Sequence, residues 1–301
     1  MIDIFIPSYH RPNNLKTVKY FTKIGWEPKN IHVFIDNEAD DYAEYKMSCD
    51  KFGVNLYIFD MEEARNRFDY VHRPSVSRRS AGQARNMFYE FAKDMGINFY
   101  MVQDDDTQGY QIKVMGKYVR MATFEDIFNV FEYIKDFMFK RRIGLFGLSQ
   151  TGDILGGVSD KLLRNKVMNT TFVLTDYIYR GERGVQDNDT SQFVGVMNEG
   201  YFTGSVGDGL ILQQTSSATA KGGLTDLYNE NKLLNKSLVT PIQFPSAIHA
   251  EKQEMNGGRL HHRVNYRYLY PKILKTQGVD NIAWDTYPED GKFSNEPVRY
   301  N

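Results

Sequence analysis

Three consecutive carboxylates, Asp104, Asp105 and Asp106, follow the apolar, β-prone run INFYMVQ at residues 97–103. Like charges that close repel one another unless something positive lies among them. Solvent, a neighbouring Arg or a metal ion can supply it. Asp104 and Asp106 form an Asp-x-Asp pair on one loop. Two carboxylates so placed suit a hard divalent cation, because Mg²⁺ and Mn²⁺ take oxygen ligands and are often shared with substrate phosphates. A solvated acidic turn is the plain alternative. The position after a buried strand, in a chain that alternates strand and helix, weighs against it.

Other reactive or recognition-competent side chains fall at similar places. Ser8, Tyr9 and Arg11 follow the first apolar run in IPSYHRP (6–12). Tyr9 can stack on a base, and Arg11 can touch a phosphate or a base. Asp36 closes the second apolar run and can hydrogen-bond a uracil or ribose edge. RRSAGQARN (78–86) opens a helix; a helix N-terminus with Arg85 beside it is an anion site, where Arg85 can grip a diphosphate. Asp187 and Asp189 stand just before a helix. One of them serves as its cap, and the other can be a general base that deprotonates a hydroxyl. His261 and His262 follow a Gly-Gly turn, and one of them can complete a metal site begun by the triplet, with His249 a weaker choice. Arg263 and Arg267 interleave with Tyr266, Tyr268 and Tyr270. That mixture suits phosphate contact and base stacking, or an amphipathic strand.

The elements that must position these groups are readable from hydrophobic runs and their breakers. Strands are expected at 2–7, 31–36, 55–60, 97–103, 143–150 and 169–176, with Gly-broken strand material over 201–214. Helices are expected at 15–25, 40–53, 80–96 and 123–142, within 177–200, and at 222–238. Asn13 or Asn14 is the expected cap of the first helix, and Ser80 that of the third. Strands separated by helices of this length predict an α/β fold with a mostly parallel sheet and helices on both faces. Such sheets bind ligands at the carboxyl ends of their strands. Ser8, Asp36, Asp60 and the Asp triplet all cluster there.

An N-terminal strand ending in IPSYHRP, then AGQARN before a strand ending in DDD, then GVQDND before a helix, resembles the GT-A nucleotide-sugar glycosyltransferases. Within them the chain is most similar to the TET-associated group, many of them phage-encoded and thought to glycosylate hydroxymethylated pyrimidines in DNA. The GGRLHH segment adds to that likeness. The resemblance implies a GT-A (Rossmann-like) domain over 1–275, with a nucleotide-binding half at 1–110, an acceptor half at 111–275, and an extended tail at 276–301. It implies a divalent cation, Mn²⁺ or Mg²⁺, on Asp106 and on His261 or His262, with Asp104 near the ribose or the metal. Ser8, Tyr9, Arg11 and Asp36 would hold the nucleoside of a nucleotide-sugar donor, a UDP-sugar. Arg85 would face the diphosphate, and Asp105 would meet the sugar or brace the loop. Asp187 or Asp189 would serve the acceptor. The implied reaction is sugar transfer to 5-hydroxymethylcytosine in DNA, with Arg73, Arg78, Arg79, Arg141 and Arg142 as further phosphate contacts. A protein or glycan acceptor is the alternative within the same enzyme class.

Composition sets outer bounds. A 301-residue chain with 41% hydrophobic and 25% charged residues can bury a sizeable core. A formal net charge of −1 gives little support to a non-catalytic nucleic-acid-binding protein, which would need a broad basic surface. A sugar nucleotidyltransferase would show glycines after the first strand, and PSYHRPNN has none. The single cysteine, Cys49, excludes an internal disulfide and a Cys-rich zinc module and fits a reducing cytoplasm, that of the host if the chain is phage-encoded. No apolar run is long enough for a membrane span, and MIDIFIPSYHRP reads as a first strand, not a secretory signal.

Overall fold

The computed structural model describes residues 1–67, 81–149, 167, 170–175, 188–198, 201–206, 210–214, 234–252 and 260–265. Its centre is a seven-stranded sheet. In chain order the strands are β1 (Asp3–Pro7), β2 (Ile31–Asp36), β3 (Asn55–Phe59), β4 (Phe99–Val102), β7 (Ile143–Gly147), β8 (Thr171–Leu174) and β9 (Phe202–Ser205). They lie side by side in the order β3-β2-β1-β4-β8-β7-β9. All are parallel except β8, which runs against β4 on one side and β7 on the other. The expected mostly parallel α/β sheet is therefore present.

Side-chain alternation along β1 divides the core into two layers. Ile4 and Ile6 face one side, with α1 (Lys16–Ile24), α2 (Tyr42–Phe52) and α5 (Phe124–Arg141) packed over them. Phe5 faces the other side, where α3 (Met61–Asn66) and α4 (Ala81–Asp94) pack. The Phe5 ring meets Phe34, Tyr100 and Phe88 at centroid distances of 5.0, 4.7 and 5.5 Å. Each such buried ring contributes about 1.5–3 kcal/mol relative to exposure. This aromatic layer pins β1, β2 and β4 to one another below the loops that carry the triplet.

Two further pieces stand outside the main sheet. β5 (Thr107–Val114) and β6 (Lys117–Met121) form a hairpin, and β10 (Leu210–Gln214) pairs with the other edge of β5. The hairpin was not expected from the sequence. Its turn is Met115-Gly116, with φ of +48° and +78°. Asn, Asp or Gly is the usual signature of such a turn at its first position, and Met hides it. The other piece is a second hairpin of β11 (Ile248–Lys252) and β12 (Leu260–Val264), which packs beside α6 (Asn188–Asn198) and α7 (Leu234–Gln243).

Several expectations need correction. The cap of α1 is neither Asn13 nor Asn14. Leu15 holds that position without a side-chain bond. The helical amide of Thr17 instead donates to the carbonyl of Asp105 at 3.1 Å, so a tertiary partner replaces the local cap. The helix expected at 222–238 is described only from Leu234 and continues to Gln243. Arg141 and Arg142 lead into the N-terminal end of β7, whereas the triplet leaves the C-terminal end of β4, which runs parallel to β7 through the intervening β8. They sit about one strand length, roughly 16 Å, from the triplet's end of the sheet. The Arg142 guanidinium instead stacks over Tyr201 at 4.7 Å. Ser80, Arg73, Arg78, Arg79, Arg267 and the tail at 276–301 lie outside the described residues. Among the described residues, no helix is long and apolar enough to cross a membrane.

Candidate functional site

The triplet loop is held from below by a buried polar hub. Gln103 is fully buried, and its amide nitrogen donates to the Thr107 hydroxyl. Its amide oxygen accepts from Tyr110 at 2.8 Å and from Thr170 at 2.7 Å. One side chain thus joins β4, β5 and the approach to β8. From the side, Thr17 of α1 clasps the loop backbone. Its hydroxyl donates to the Asp104 carbonyl and accepts from the Thr107 amide at 3.0 Å. These bonds fix the peptide path through 104–107, so the three carboxylates leave it in fixed directions.

Asp105 turns inward. Its side chain is 5% exposed. Ser8 donates to one carboxylate oxygen at 2.6 Å, and Arg11 to the other at 2.9 Å. The Ser8 hydroxyl has one proton, which goes to Asp105. The contact of 2.8 Å between Tyr45 and Ser8 must then run from the Tyr45 hydroxyl to Ser8. The Tyr45 oxygen in turn accepts from the Arg11 amide at 3.0 Å. A closed relay of Arg11, Tyr45, Ser8 and Asp105 ties the loop after β1 to the loop after β4. Burial pushes the Asp105 carboxyl up to about 6, against the Ser8 hydrogen bond and the Arg11 charge, with Asp106 and Asp104 adding to the rise. Of the two expected roles for Asp105, bracing the loop is the one this geometry performs.

Asp104 reaches the other way. Arg85 of α4 donates to its Oδ1 at 2.8 Å, with both side chains largely buried. Arg85, expected at a diphosphate, therefore sits within one side chain of the triplet. Asp106 is 6% exposed. Asp36 ends β2 in a tight turn, accepting from the Glu38 amide at 3.0 Å. Tyr9 lies against His10, with ring centroids 3.9 Å apart. The carboxyl ends of β1, β2 and β4 thus bring Ser8, Tyr9, Arg11, Asp36 and the triplet to one edge of the sheet. Arg85 joins them from α4.

The remaining candidates stand elsewhere in the chain. Asp189 is in the first turn of α6 and half-buried, and Asp187 lies outside the described residues. His261 and His262 are neighbours on β12, with ring centroids 4.6 Å apart. His262 is buried and His261 half-buried, and in the ladder they lie opposite Ala250 and Glu251. His249 is exposed and 3.6 Å from Glu251.

Sequence reasoning missed Tyr45, Thr17 and Gln103. Tyr45 and Thr17 read as ordinary helix positions, and Gln103 as the last residue of a strand. It also missed His10. The His10 Nδ1 lies 3.6 Å from Asp40 and 3.4 Å from Asp41. Among the described residues, this is the group of three His or carboxylate side chains whose ligand atoms gather within 4.8 Å of one another. His10 stands in the loop after β1, and Asp40 and Asp41 in the loop after β2.

The model of the TET-associated glycosyltransferase family matches residues 2–203. No curated protein matches the chain in sequence. Among solved structures, glucosyl-3-phosphoglycerate synthase from Mycobacterium tuberculosis with Mn²⁺, UDP and phosphoglyceric acid is similar at 11% identity and a TM-score of 0.44, over 89% of this chain and 90% of that one. The same enzyme with Mg²⁺ and UDP gives 11% and 0.44, over 88% and 86%. A cytidylyltransferase from Leptospira borgpetersenii gives 11% and 0.31, over 58% and 60%. Scores this low carry no assignment; the family match does.

Proposed function

The chain belongs to the TET-associated glycosyltransferase family, and from that premise we propose that it moves a sugar from a UDP-sugar to the hydroxyl of 5-hydroxymethylcytosine in DNA, with Mn²⁺ or Mg²⁺. The observation that carries this reading is the split of the triplet. Asp105 is used up in bracing the β1 loop, while Asp104 and Asp106 bracket it, with Arg85 alongside.

The residue types suit a hard cation, and among the described residues three such ligand atoms lie within 4.8 Å of one another at His10, Asp40 and Asp41 and not at the triplet. Carboxylate oxygens of Asp104 and Asp106, with one imidazole from His261 or His262, are ligands that Mn²⁺ and Mg²⁺ accept. The chemistry the ion supplies when bound is neutralisation of charge on the departing diphosphate. The chain's own residues do the rest. Ser8, Tyr9, Arg11 and Asp36 form the nucleoside end, with Tyr9 as the stacking face. Arg85 exchanges Asp104 for a phosphate group, two of whose oxygens match the guanidinium fork. The acceptor oxygen forms a bond to the anomeric carbon as the bond from that carbon to the diphosphate breaks. In an inverting reaction Asp187 or Asp189 takes the hydroxyl proton; in a retaining one they position the acceptor. The base must be flipped out of a duplex or reached in a single strand.

The test is transfer to hydroxymethylcytosine DNA with Mn²⁺ across a panel of nucleotide sugars, read by mass spectrometry of the released nucleosides. A mass gain of one sugar is expected with a UDP-sugar. Asp106→Ala is expected to lower the rate about 100- to 1,000-fold, the scale of removing a leading electrostatic stabiliser. It should also abolish the Mn²⁺-dependent rise in melting temperature with UDP. Unchanged activity in Asp106→Ala, or in EDTA, would remove the metal role. Transfer to a protein or glycan with none to DNA would keep the enzyme class and replace the acceptor.

A further inference from the structure

The β5–β6 hairpin leaves the triplet without an intervening loop: β5 begins at Thr107, the residue after Asp106. Its base is packed, with Tyr110 and Met121 opposite one another and buried. From there to the tip at Met115 is about 15 Å of strand. The face that begins with Tyr110 and Met121 continues outward as Ile112 opposite Val119 and Val114 opposite Lys117, increasingly exposed. Val114 and Val119 are 47% and 50% exposed, and Met115 is 99% exposed. The opposite face pairs Lys113 with Tyr118 and Gln111 with Arg120, with the Lys113 ammonium 5.9 Å from the Tyr118 ring centre.

Charge on this finger has one sign. Between Asp106 and Glu125 there is no acidic residue, while Lys113, Lys117 and Arg120 are basic, in a chain of net charge −1. A bare apolar tip flanked only by cations is poorly matched to a protein surface of mixed charge. It is well matched to a polyanion whose interior is apolar. Side chains such as Met act as wedges between base steps, while cations at their flanks hold the phosphates. Beyond Ile112, where the pairing with β10 ends, the hairpin extends about 10 Å to its tip, comparable with the groove depths of about 7.5–8.5 Å in B-form DNA.

We propose that the β5–β6 hairpin is a DNA-docking finger. Lys113, Lys117 and Arg120 hold the phosphate backbone. Met115 inserts into the base stack about 26 Å, or about eight base pairs, from the base that turns toward the triplet. This rests on the DNA-acceptor reading above. Because the finger is continuous with the triplet loop, its insertion point fixes which base stands over the transfer site.

Two variants of the full chain test it. Met115→Asn removes the wedge but places a residue that favours the left-handed turn, so the hairpin itself is preserved. A triple change of Lys113, Lys117 and Arg120 to Gln removes the cations. The probe is a duplex carrying hydroxymethylcytosine with 2-aminopurine about eight base pairs away, whose fluorescence rises on unstacking. The triple variant is expected to bind this duplex at least tenfold more weakly. The slope of log affinity against log salt should flatten by about 2 to 3, one phosphate contact per lost cation. Met115→Asn is expected to lose most of the fluorescence rise and at least tenfold of the transfer rate on duplex. Its rate on a single-stranded oligonucleotide and its UDP-induced thermal shift should match the unaltered chain. If the unaltered chain modifies DNA and both variants match it, the finger is wrong and the acceptor reading stands. If the unaltered chain neither binds nor modifies DNA, both fall together. A concentration-dependent dimer that Met115→Asn dissolves would assign this face to a second copy and overturn the proposal.

Discussion

The triplet loop and the hairpin that follows it are contiguous in sequence and opposite in physics. Residues 103–107 carry polar side chains that are nearly all buried and bonded internally: Gln103 to three hydroxyls, Asp105 to Ser8 and Arg11, and Asp104 to Arg85. Residues 113–120 carry mainly apolar and cationic side chains that stand in solvent. The usual arrangement of polar outside and apolar inside is inverted in both. A buried polar network has geometry that cannot drift, because each broken bond leaves an unsolvated group. That is what a site needs to hold carboxylates in fixed directions. An exposed apolar tip has almost no internal energy to lose, which suits a surface that gains its contacts from a partner. The difference teaches that stability and recognition are separated along this segment at about residue 111.

Stability measurements can break that contrast. The largest expected effect is from Gln103→Ala, which strands the hydroxyls of Tyr110, Thr170 and Thr107 in the core. It should cost about 3–5 kcal/mol in urea unfolding. A loss under about 1 kcal/mol would mean the hub is dispensable. Thr17→Val keeps the shape but removes a hydroxyl that serves two buried backbone groups, the Asp104 carbonyl and the Thr107 amide. About 2 kcal/mol is expected from the same measurement. Ser8→Ala should cost about 1–2 kcal/mol, and Tyr45→Phe about 1 kcal/mol. The double variant should lose less than the sum, because both act in one relay through Asp105. Strict additivity would show that the relay is two independent bonds. The smallest effect belongs to the hairpin. Met115→Asn and the triple Lys and Arg change should each lie within about 0.5 kcal/mol of the unaltered chain. A loss above 2 kcal/mol in either would show that the finger supports the fold, and the contrast would vanish.

Much of this was legible before any coordinates. The run IHVFID is a strand over the span where it was expected, because an unbroken apolar stretch between polar breakers has one stable use in such a chain. Helices 42–52, 81–94 and 124–141 lie within two residues of their sequence limits, because Gly53 and the Thr123–Asp126 capping box mark ends in local chemistry. The β5–β6 hairpin escaped, since Met115 adopts a turn conformation that its residue type does not advertise.

By itself the sequence determined that a carboxylate triplet stands at the carboxyl end of a buried strand, with Ser8, Asp36 and Arg85 near the same edge. Strand and helix are written in local periodicity, and parallel strands joined by helices put their carboxyl ends together. Only the tertiary structure decided which carboxylate does what. Asp105 is distinguished from Asp104 and Asp106 by Ser8 and Arg11, which are 97 and 94 residues away along the chain. They reach it because β1 lies beside β4, with Phe5 opposite Val102. Three identical side chains in a row carry no local difference; their roles are set by partners that arrive from another strand.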